Sequence, residues 1–188
     1  MGAYQIEIIM PGPRIRPKKH LGQHFLKDKR IAAAIVNALR ADGCDSVLEV
    51  GPGMGVLTNL LAERELPAFR VVEIDRESVD YLRQNVTGQV EIIEGDFLEL
   101  DLHRMGNLIA VIGNFPYNIS SQIFFKILDN RDHVTETVGM VQKEVAERIC
   151  SEPGSRVYGI LSVLLRAWYD IEYLFTVSEH VFSPPPKV

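Results

Sequence analysis

Cysteine and long apolar runs are both scarce in this sequence. Its 188 residues include only two cysteines, Cys44 and Cys150, which lie far apart and outside any C-x-x-C pair. This scarcity excludes a disulfide framework and a zinc cage, and it favours the reducing cytoplasm. The longest apolar runs, such as residues 160–165, are far too short to cross a membrane. The first ten residues lack the basic start of a secretory signal.

Glycine, proline and charged residues occur at ordinary levels, so neither a disordered chain nor a fibrous repeat is expected. The 14 glycines, 10 prolines and 24% charged residues are typical of a globular protein. The apolar fraction of 46% is enough for one sizeable core but not for two ordinary domains at this length. We predict an irregular leader over residues 1–17 and a single domain over residues 18–188.

Basic residues cluster near the start of the chain. The net charge of −5 argues against a general nucleic-acid binder, but residues 14–30 carry seven basic side chains and one acidic one. This basic segment, residues 14–30, has a charge of +6 and leaves −11 for the rest. A solvated arm is one interpretation. The aromatic and apolar residues at 20–26 favour a binding role instead, because a solvated tail has no use for them.

Apolar runs of strand length alternate with amphipathic segments of helix length. This alternation predicts an α/β fold with a mostly parallel sheet and helices on both faces, in which ligands bind beyond the carboxyl ends of the strands. Asp28 is the predicted N-cap of a first helix that runs to about Arg40. The predicted strands are residues 46–50, 70–74, 90–93, 108–112 and 137–141, with a β-rich run at 172–177. The other predicted helices are one through Leu57, Leu60 and Leu61 and those at residues 76–85, 119–128, 143–149 and 158–168.

The first predicted strand is followed by a glycine-rich turn. Glycines at 51, 53 and 55 allow positive φ angles and a close approach of the backbone to a ligand. A dinucleotide fingerprint would require a glycine at position 56, which is Val56. A turn that serves only packing is the alternative.

Carboxylates follow the next two predicted strands. Glu73 lies 22 residues beyond Gly51, where a carboxylate can accept hydrogen bonds from both hydroxyls of a ribose. Asp96 follows the third strand, where it can accept from the exocyclic amine of an adenine. Surface acids at strand ends are the alternative for both residues, since Asp is common in turns.

The most specific feature is the run of Asn114, Phe115, Pro116 and Tyr117 after the fourth strand. The amine of a base is a poor nucleophile because its lone pair is delocalised into the ring. The Asn114 amide oxygen and the Pro116 carbonyl are candidates to accept its two N–H bonds and favour a pyramidal nitrogen. The Tyr117 ring can stack on a base that has left its helix. A turn in which Asn and Pro simply end a strand is the alternative.

Seven segments of the sequence carry a resemblance to a known family. They are Gly-Gln-His-Phe-Leu at 22–26, Glu-Val-Gly-Pro-Gly-Met-Gly at 49–55, Glu-Ile-Asp at 73–75, Gly-Asp at 95–96, Asn-Phe-Pro-Tyr at 114–117, Gln-Lys-Glu-Val at 142–145 and Phe-Ser-Pro-Pro-Pro-Lys-Val at 182–188. In this order they resemble the rRNA adenine N6,N6-dimethyltransferases, and the last two look like the KsgA-type branch, which modifies small-subunit rRNA. The resemblance implies a Rossmann-like class I methyltransferase fold with S-adenosyl-L-methionine (SAM) as methyl donor. It implies two adjacent adenosines near the 3′ end of small-subunit (16S) rRNA as acceptor.

The resemblance also implies which residues bind the cofactor. Gly51 is expected to approach the methionine portion of SAM, Glu73 its ribose and Asp96 its adenine amine. The expected cofactor-binding residues are His24, Leu26, Gly51, Gly53, Glu73, Asp96 and Asn114.

The same resemblance implies how the acceptor is held. Tyr117 and Phe182 are expected to sandwich the target base, with Asn114 at the junction of base and cofactor. The expected catalytic residues are Asn114, Pro116, Tyr117 and Phe182. The basic segment is expected to contact rRNA phosphates, with Arg16, Lys18 and Lys19 as the RNA-binding residues.

Two positions and one region differ from the family pattern. The family more often has Asn at position 24, where backbone contacts with SAM are expected to persist, and often Leu at position 115. Its fold has seven strands, the last antiparallel, followed by a small helical domain. The sequence stops at Val188, where the seventh strand should begin. We therefore expect a catalytic domain that lacks the last strand and the helical domain.

Three other functions stay open at this point. A large-subunit rRNA adenine N6-methyltransferase of the macrolide-resistance type shares the donor site and the Asn-Phe-Pro-Tyr type of motif. A mainly non-catalytic ribosome-assembly factor is disfavoured by intact Glu73, Asp96 and Asn114. A nicotinamide-dependent oxidoreductase is disfavoured by Val56. We expect a cytoplasmic monomer that acts on an assembling 30S particle, with no membrane and no metal.

Overall fold

A parallel sheet forms the centre of the fold. The computed structural model describes residues 17–18 and 21–186. The main sheet in this part of the chain consists of β2 (Ser46–Val50), β3 (Ala68–Glu73), β4 (Glu91–Glu94), β5 (Ile109–Asn114) and β6 (Val134–Met140). All of its neighbouring strands are parallel, in the order β4-β3-β2-β5-β6. Two short strands, β1 (Phe25–Leu26) and β7 (Phe182–Ser183), form a separate antiparallel pair.

Helices connect the strands as the alternation in the sequence predicts. The α-helices of the described residues are α1 (Lys29–Ala38), α2 (Val56–Ala62), α3 (Arg76–Asn85), α4 (Ser120–Asp129), α5 (Lys143–Ile149) and α6 (Ile160–Arg166). Asp28 caps α1 by accepting from the Arg30 N–H, and Asp75 caps α3 by accepting from the Glu77 N–H.

Successive residues of each strand point to opposite faces of the sheet, and both faces are covered. Val47 packs in one buried cluster with Ile35 of α1 and Leu61 of α2. Its neighbour Leu48 packs on the other face with Ile123 of α4. A third cluster joins α4 to α5 and α6. This arrangement confirms the predicted α/β fold with helices on both faces.

The order of the strands determines where a ligand can bind. β3 and β5 lie on opposite sides of β2, so the chain changes direction across the sheet at this point. In parallel α/β sheets, ligands bind at such a switch point, beyond the carboxyl ends of the strands. The glycine turn that follows β2 and Asn114 at the end of β5 both lie there.

The β-rich run predicted at residues 172–177 is wrong. Residues 170–178 form neither helix nor strand, because a strand requires a hydrogen-bonded neighbour and the described residues provide none there. A groove lies between this segment and residues 135–142, which include most of β6. Exposed apolar side chains of this region are Trp168, Tyr173, Leu174 and Phe175.

Some features are absent from residues 17–18 and 21–186. No helix there is long and apolar enough to cross a membrane. No group of three or more His, Cys, Asp or Glu side chains gathers as a metal site in the same residues. Cys44 and Cys150 are both free thiols.

Candidate active site

A cleft opens at the carboxyl ends of β2, β3 and β5. It is partly open to solvent. Its walls come from residues 21–26, the glycine turn after β2 and residues 114–117. Among the residues predicted from the sequence, the cleft brings together His24, Leu26, Gly51, Gly53, Glu73, Asn114, Pro116 and Tyr117.

Glu73 is held in place at the end of β3 by two backbone N–H groups. Its Oε2 accepts from Gly53 N at 3.0 Å and its Oε1 from Asp75 N at 2.9 Å. Gly53 has a φ of +54°, and a Cβ there would lie 2.9 Å from the Phe25 ring, so the turn requires glycine. Burial raises the pKa of the Glu73 carboxyl. Each carboxyl oxygen has a further lone pair that can accept from a ligand hydroxyl.

Lys18, in the basic segment, contacts the end of β3. Its Nζ forms ion pairs with Asp75, whose side chain is 1% exposed, and with Glu77 at 3.1 Å. Gln23 joins this group, since it accepts from the Lys18 backbone N–H at 2.9 Å and donates to Asp75 at 3.3 Å. The hydrogen bond to Asp75 raises the pKa of Lys18. Lys18 therefore forms ion pairs within the chain, and its expected contact with RNA phosphates stays a prediction.

The other two residues proposed for RNA binding, Arg16 and Lys19, lie outside the described residues.

Asn114 ends β5 with its side-chain amide fixed in one orientation. Its Nδ2 donates to the backbone carbonyl of His24 at 2.9 Å. Its Oδ1 is buried and has no hydrogen-bond partner among the described residues. The Pro116 carbonyl accepts from Ile119 N at 3.2 Å and keeps one lone pair. Two acceptors with spare capacity therefore stand at this end of the cleft.

His24 contacts Tyr117 and the segment that follows Phe182. The imidazole and Tyr117 rings are stacked, with centroids 4.9 Å apart and an angle of 26° between their planes. The His24 Nδ1 lies 2.9 Å from the Pro184 carbonyl oxygen. Because a carbonyl only accepts, this contact requires the proton on Nδ1. The Tyr117 ring is half-buried beside the cleft.

Phe182 is more deeply buried than Tyr117. Its side chain is 3% exposed and belongs to the same buried cluster as Val138 and Met140. The antiparallel pairing of β1 with β7 places it opposite Leu26. Phe182 and Tyr117 both line the groove along β6, so the expected base sandwich stays a prediction.

Asp96 also lies outside the lining of the cleft. Its Oδ1 accepts from Leu98 N at 2.8 Å and so caps the short 3-10 helix Phe97–Glu99. It follows β4, which pairs with β3, and its neighbour Gly95 donates to the Glu73 carbonyl at 2.9 Å. Asp96 thus stands next to the Glu73 end of the cleft rather than inside it.

Two residues that line the cleft were missed in the sequence analysis. Glu49 is 1% exposed within β2, and its Oε2 has no partner among the described residues. Burial raises the pKa of the Glu49 carboxyl to about 8. A carboxyl among the apolar residues 47–50 was the available signal, since unpaired buried acids are rare. Ile74 is 52% exposed between Glu73 and Asp75 and has an apolar surface at the cleft.

The sequence matches a described family over most of its length. The family model described as "Ribosomal RNA adenine dimethylase" covers residues 14–188. A relative from Parabacteroides distasonis, named "Ribosomal RNA small subunit methyltransferase A", is 60% identical over 176 residues. That match covers 93% of this chain and 66% of the relative, so the chain spans slightly less than two thirds of the relative's length.

Two solved structures are similar to this fold. The crystal structure of a dimethyladenosine transferase from Plasmodium falciparum has a TM-score of 0.75 at 29% identity, covering 87% of this chain and 60% of that one. The crystal structure of the 23S rRNA methyltransferase ErmE has a TM-score of 0.76 at 29% identity, covering 87% and 66%. Because the two TM-scores are nearly equal, the fold alone does not distinguish between these activities.

Proposed function

Because the chain belongs to the ribosomal RNA adenine dimethylase family, we propose that it transfers methyl groups from SAM to adenine N6 amines of rRNA. The proposed acceptors are two adjacent adenosines near the 3′ end of small-subunit (16S) rRNA. The 60% identity with a small-subunit methyltransferase supports this choice, because it far exceeds the 29% identity with the 23S rRNA methyltransferase ErmE.

The hydrogen bonding of the Asn114 side chain is the observation that most directly supports this proposal. Its Nδ2 is occupied by the His24 carbonyl, and its Oδ1 is a buried acceptor without a partner among the described residues. A buried acceptor without a hydrogen bond lowers the stability of the folded chain. A hydrogen bond from a ligand N–H removes this free-energy penalty. An adenine amine has two N–H bonds, and the Pro116 carbonyl is a second acceptor for it.

The cleft has groups that fit each part of SAM. Glu73 has lone pairs for the ribose hydroxyls, and Ile74 has an apolar surface for a purine ring. The buried Oε2 of Glu49, which has no hydrogen-bond partner in the described part of the chain, suits the ammonium of the methionine portion. Asp96, at the end of the neighbouring strand, is proposed to accept from the adenine amine. SAM is therefore the proposed cofactor.

The proposed chemistry is an attack by the adenine nitrogen on a methyl carbon. When bound, SAM supplies that methyl group on a positively charged sulfur, and the C–S bond breaks with its electrons on sulfur as the N–C bond forms. Asn114 and Pro116 accept the N–H bonds of the amine and so concentrate the lone pair on nitrogen. The amine then loses its proton to solvent. A second transfer, from a second SAM molecule that replaces the demethylated product, would give the dimethylated base.

The proposed partner is an assembling 30S particle in the cytoplasm, on which the chain acts as a monomer without a metal. Arg16 and Lys19 remain the proposed contacts to rRNA phosphates, because they belong to the basic segment. Lys18 is the weaker candidate, since its charge is already paired with Asp75.

We propose that residues 18–188 are the catalytic domain of this enzyme family. The groove along β6 supports this proposal, because it leaves room for the seventh, antiparallel strand that the family resemblance implies. The 66% coverage of the Parabacteroides distasonis relative is in keeping with a further region beyond this domain.

Calorimetric titration of the chain with SAM, beside a titration with NAD, tests the cofactor assignment. We expect saturable binding of SAM at one site and no binding of NAD. Binding of NAD alone would instead support the oxidoreductase alternative. Normal binding of SAM without any methyl transfer to RNA would support the non-catalytic assembly factor.

A further inference from the structure

His24 connects three parts of the site. Its ring stacks on Tyr117, its Nδ1 donates to the Pro184 carbonyl and its own carbonyl accepts from Asn114 Nδ2. These contacts belong to different parts of the residue. The backbone of His24 orients Asn114, whereas the side chain of His24 contacts Tyr117 and Pro184.

This division means that the two contributions can be separated by substitution. Any residue at position 24 keeps the carbonyl that holds Asn114. Only an aromatic residue keeps the stack on Tyr117, and only a side chain with a suitably placed donor keeps the bond to Pro184. His24 borders the cofactor cleft, and its side chain also contacts Tyr117, the ring that is expected to stack on the acceptor base.

We propose that His24 is a positioning residue for the acceptor base, which acts by holding the Tyr117 ring in the orientation that receives that base. This inference deepens the proposed function and rests on it. Phe182, the other aromatic residue expected beside the base, is buried in the core at 3% exposure. His24 is instead the aromatic residue that the structure stacks on Tyr117.

The physical reason is pre-organisation. A half-buried tyrosine without a stacking partner has freedom to rotate, and ordering it on binding lowers the affinity for the base. The His24 ring restricts this rotation before the base arrives. The bond to Pro184 in turn fixes the His24 ring, because it fixes the direction of Nδ1. Pro184 lies just beyond β7, which pairs with β1, so this support is connected to the strand pair that also contains Phe25 and Leu26.

Three substitutions of His24 separate these contacts. We expect H24A to lower kcat/KM for a small-subunit RNA acceptor roughly 3- to 10-fold, the factor that corresponds to one aromatic pair. We expect H24F to retain most of the wild-type value, because it keeps the stack. H24N should resemble H24A, because it loses the ring. The dissociation constant for SAM should change less than kcat/KM in all three, since the backbone at position 24 is preserved.

A double-mutant cycle with Tyr117 distinguishes positioning from a general structural role. If His24 acts through the tyrosine ring, H24A should have no further effect on kcat/KM in a Y117A background. Replacement of the exposed His180 by alanine is the matched control and should change nothing in either background.

Two results would overturn the inference. One is an H24A effect of the same size with and without Tyr117, and the other is an H24F variant as impaired as H24A. These results leave the proposed function intact, because they require a wild-type chain that transfers methyl groups. A wild-type chain that binds no SAM and methylates no adenine would overturn the proposed function itself, and the inference with it.

Discussion

The side-chain amide of Asn114 donates to the backbone carbonyl of His24 at 2.9 Å. This bond joins the end of β5 to a segment 90 residues earlier in the chain. It decides which end of the amide faces the cleft, because only the nitrogen can donate to a carbonyl. Within residues 17–18 and 21–186 the amide oxygen has no hydrogen-bond partner, so it is held as a free acceptor, which is the pre-organisation that the proposed catalysis requires.

Replacing Glu73 by alanine should weaken binding of SAM by about 1–3 kcal/mol, since it removes the acceptors for the ribose hydroxyls. The loss includes the anchor of the glycine turn, because Glu73 also accepts from Gly53. Calorimetry measures the change. Glu94, which pairs with Glu73 in register and is exposed, is the matched control. An unchanged affinity in the Glu73→Ala variant would show that the ribose is bound elsewhere.

Replacing Phe182 by alanine should lower the free energy of unfolding by about 3–5 kcal/mol, as for other buried aromatic side chains. Tyr117→Ala should cost much less stability, because that ring is only half-buried. Chemical denaturation of both variants checks this. A Phe182→Ala variant with wild-type stability and impaired RNA binding would support the base sandwich expected from the family resemblance.

The stability of the chain should depend on pH through Glu49. Burial raises the pKa of this carboxyl from 4.5 to about 8 in the folded chain, so the folded state binds one more proton than the unfolded state between these values. The free energy of unfolding should therefore fall as pH rises through this window, by up to about 1.4 kcal/mol per pH unit. Burial also raises the pKa of Glu73, which adds to the same trend.

Urea denaturation across this pH window, with wild type and Glu49→Gln, measures the effect. The variant should show a smaller decline, because glutamine does not titrate. Replacement of the exposed Glu65 by glutamine is the control and should leave the wild-type decline in place. An identical decline in wild type and Glu49→Gln would mean that other groups cause it.

Replacing Lys18 by methionine should raise the dissociation constant for SAM and leave the salt dependence of RNA binding unchanged. The reason is that Lys18 pairs with Asp75 and Glu77 and so holds the segment that covers the cleft. The neighbouring Lys19→Met is the comparison, and it should reduce the slope of log K against log salt by roughly 1. A reduced salt slope for Lys18→Met with an unchanged slope for Lys19→Met would instead show that Lys18 contacts RNA.

The sequence is informative where one segment determines its own structure. Residues 46–50, 76–85 and 143–149 are predicted with the bounds that the structure has. Their apolar spacing, the Asp75 cap and the flanking turns are all local signals. The glycine turn, Glu73 and Asn114 lie together in the cleft, because residues at the ends of parallel strands meet at one edge of the sheet.

The sequence is less informative where the environment of a residue depends on a partner far along the chain. Phe182 is buried because it pairs opposite Leu26, and no local pattern announces that pairing. The β-rich run at 172–177 has strand propensity but no neighbouring strand among the described residues. The ion pair of Lys18 with Asp75 likewise depends on tertiary structure, so composition alone suggested a solvent-facing charge.

The most direct test is methyl transfer by wild type and Asn114→Ala under single-turnover conditions. Unmethylated small subunits are incubated with excess protein and SAM that carries a deuterated methyl group, and the digested rRNA is analysed by mass spectrometry. We expect labelled N6-methylated adenosines with wild type, none with Asn114→Ala and full activity with the control Asn85→Ala. Calorimetry should show that Asn114→Ala still binds SAM. Near-normal labelling by Asn114→Ala, or no labelled adenosine from a wild-type chain saturated with SAM, would contradict the account.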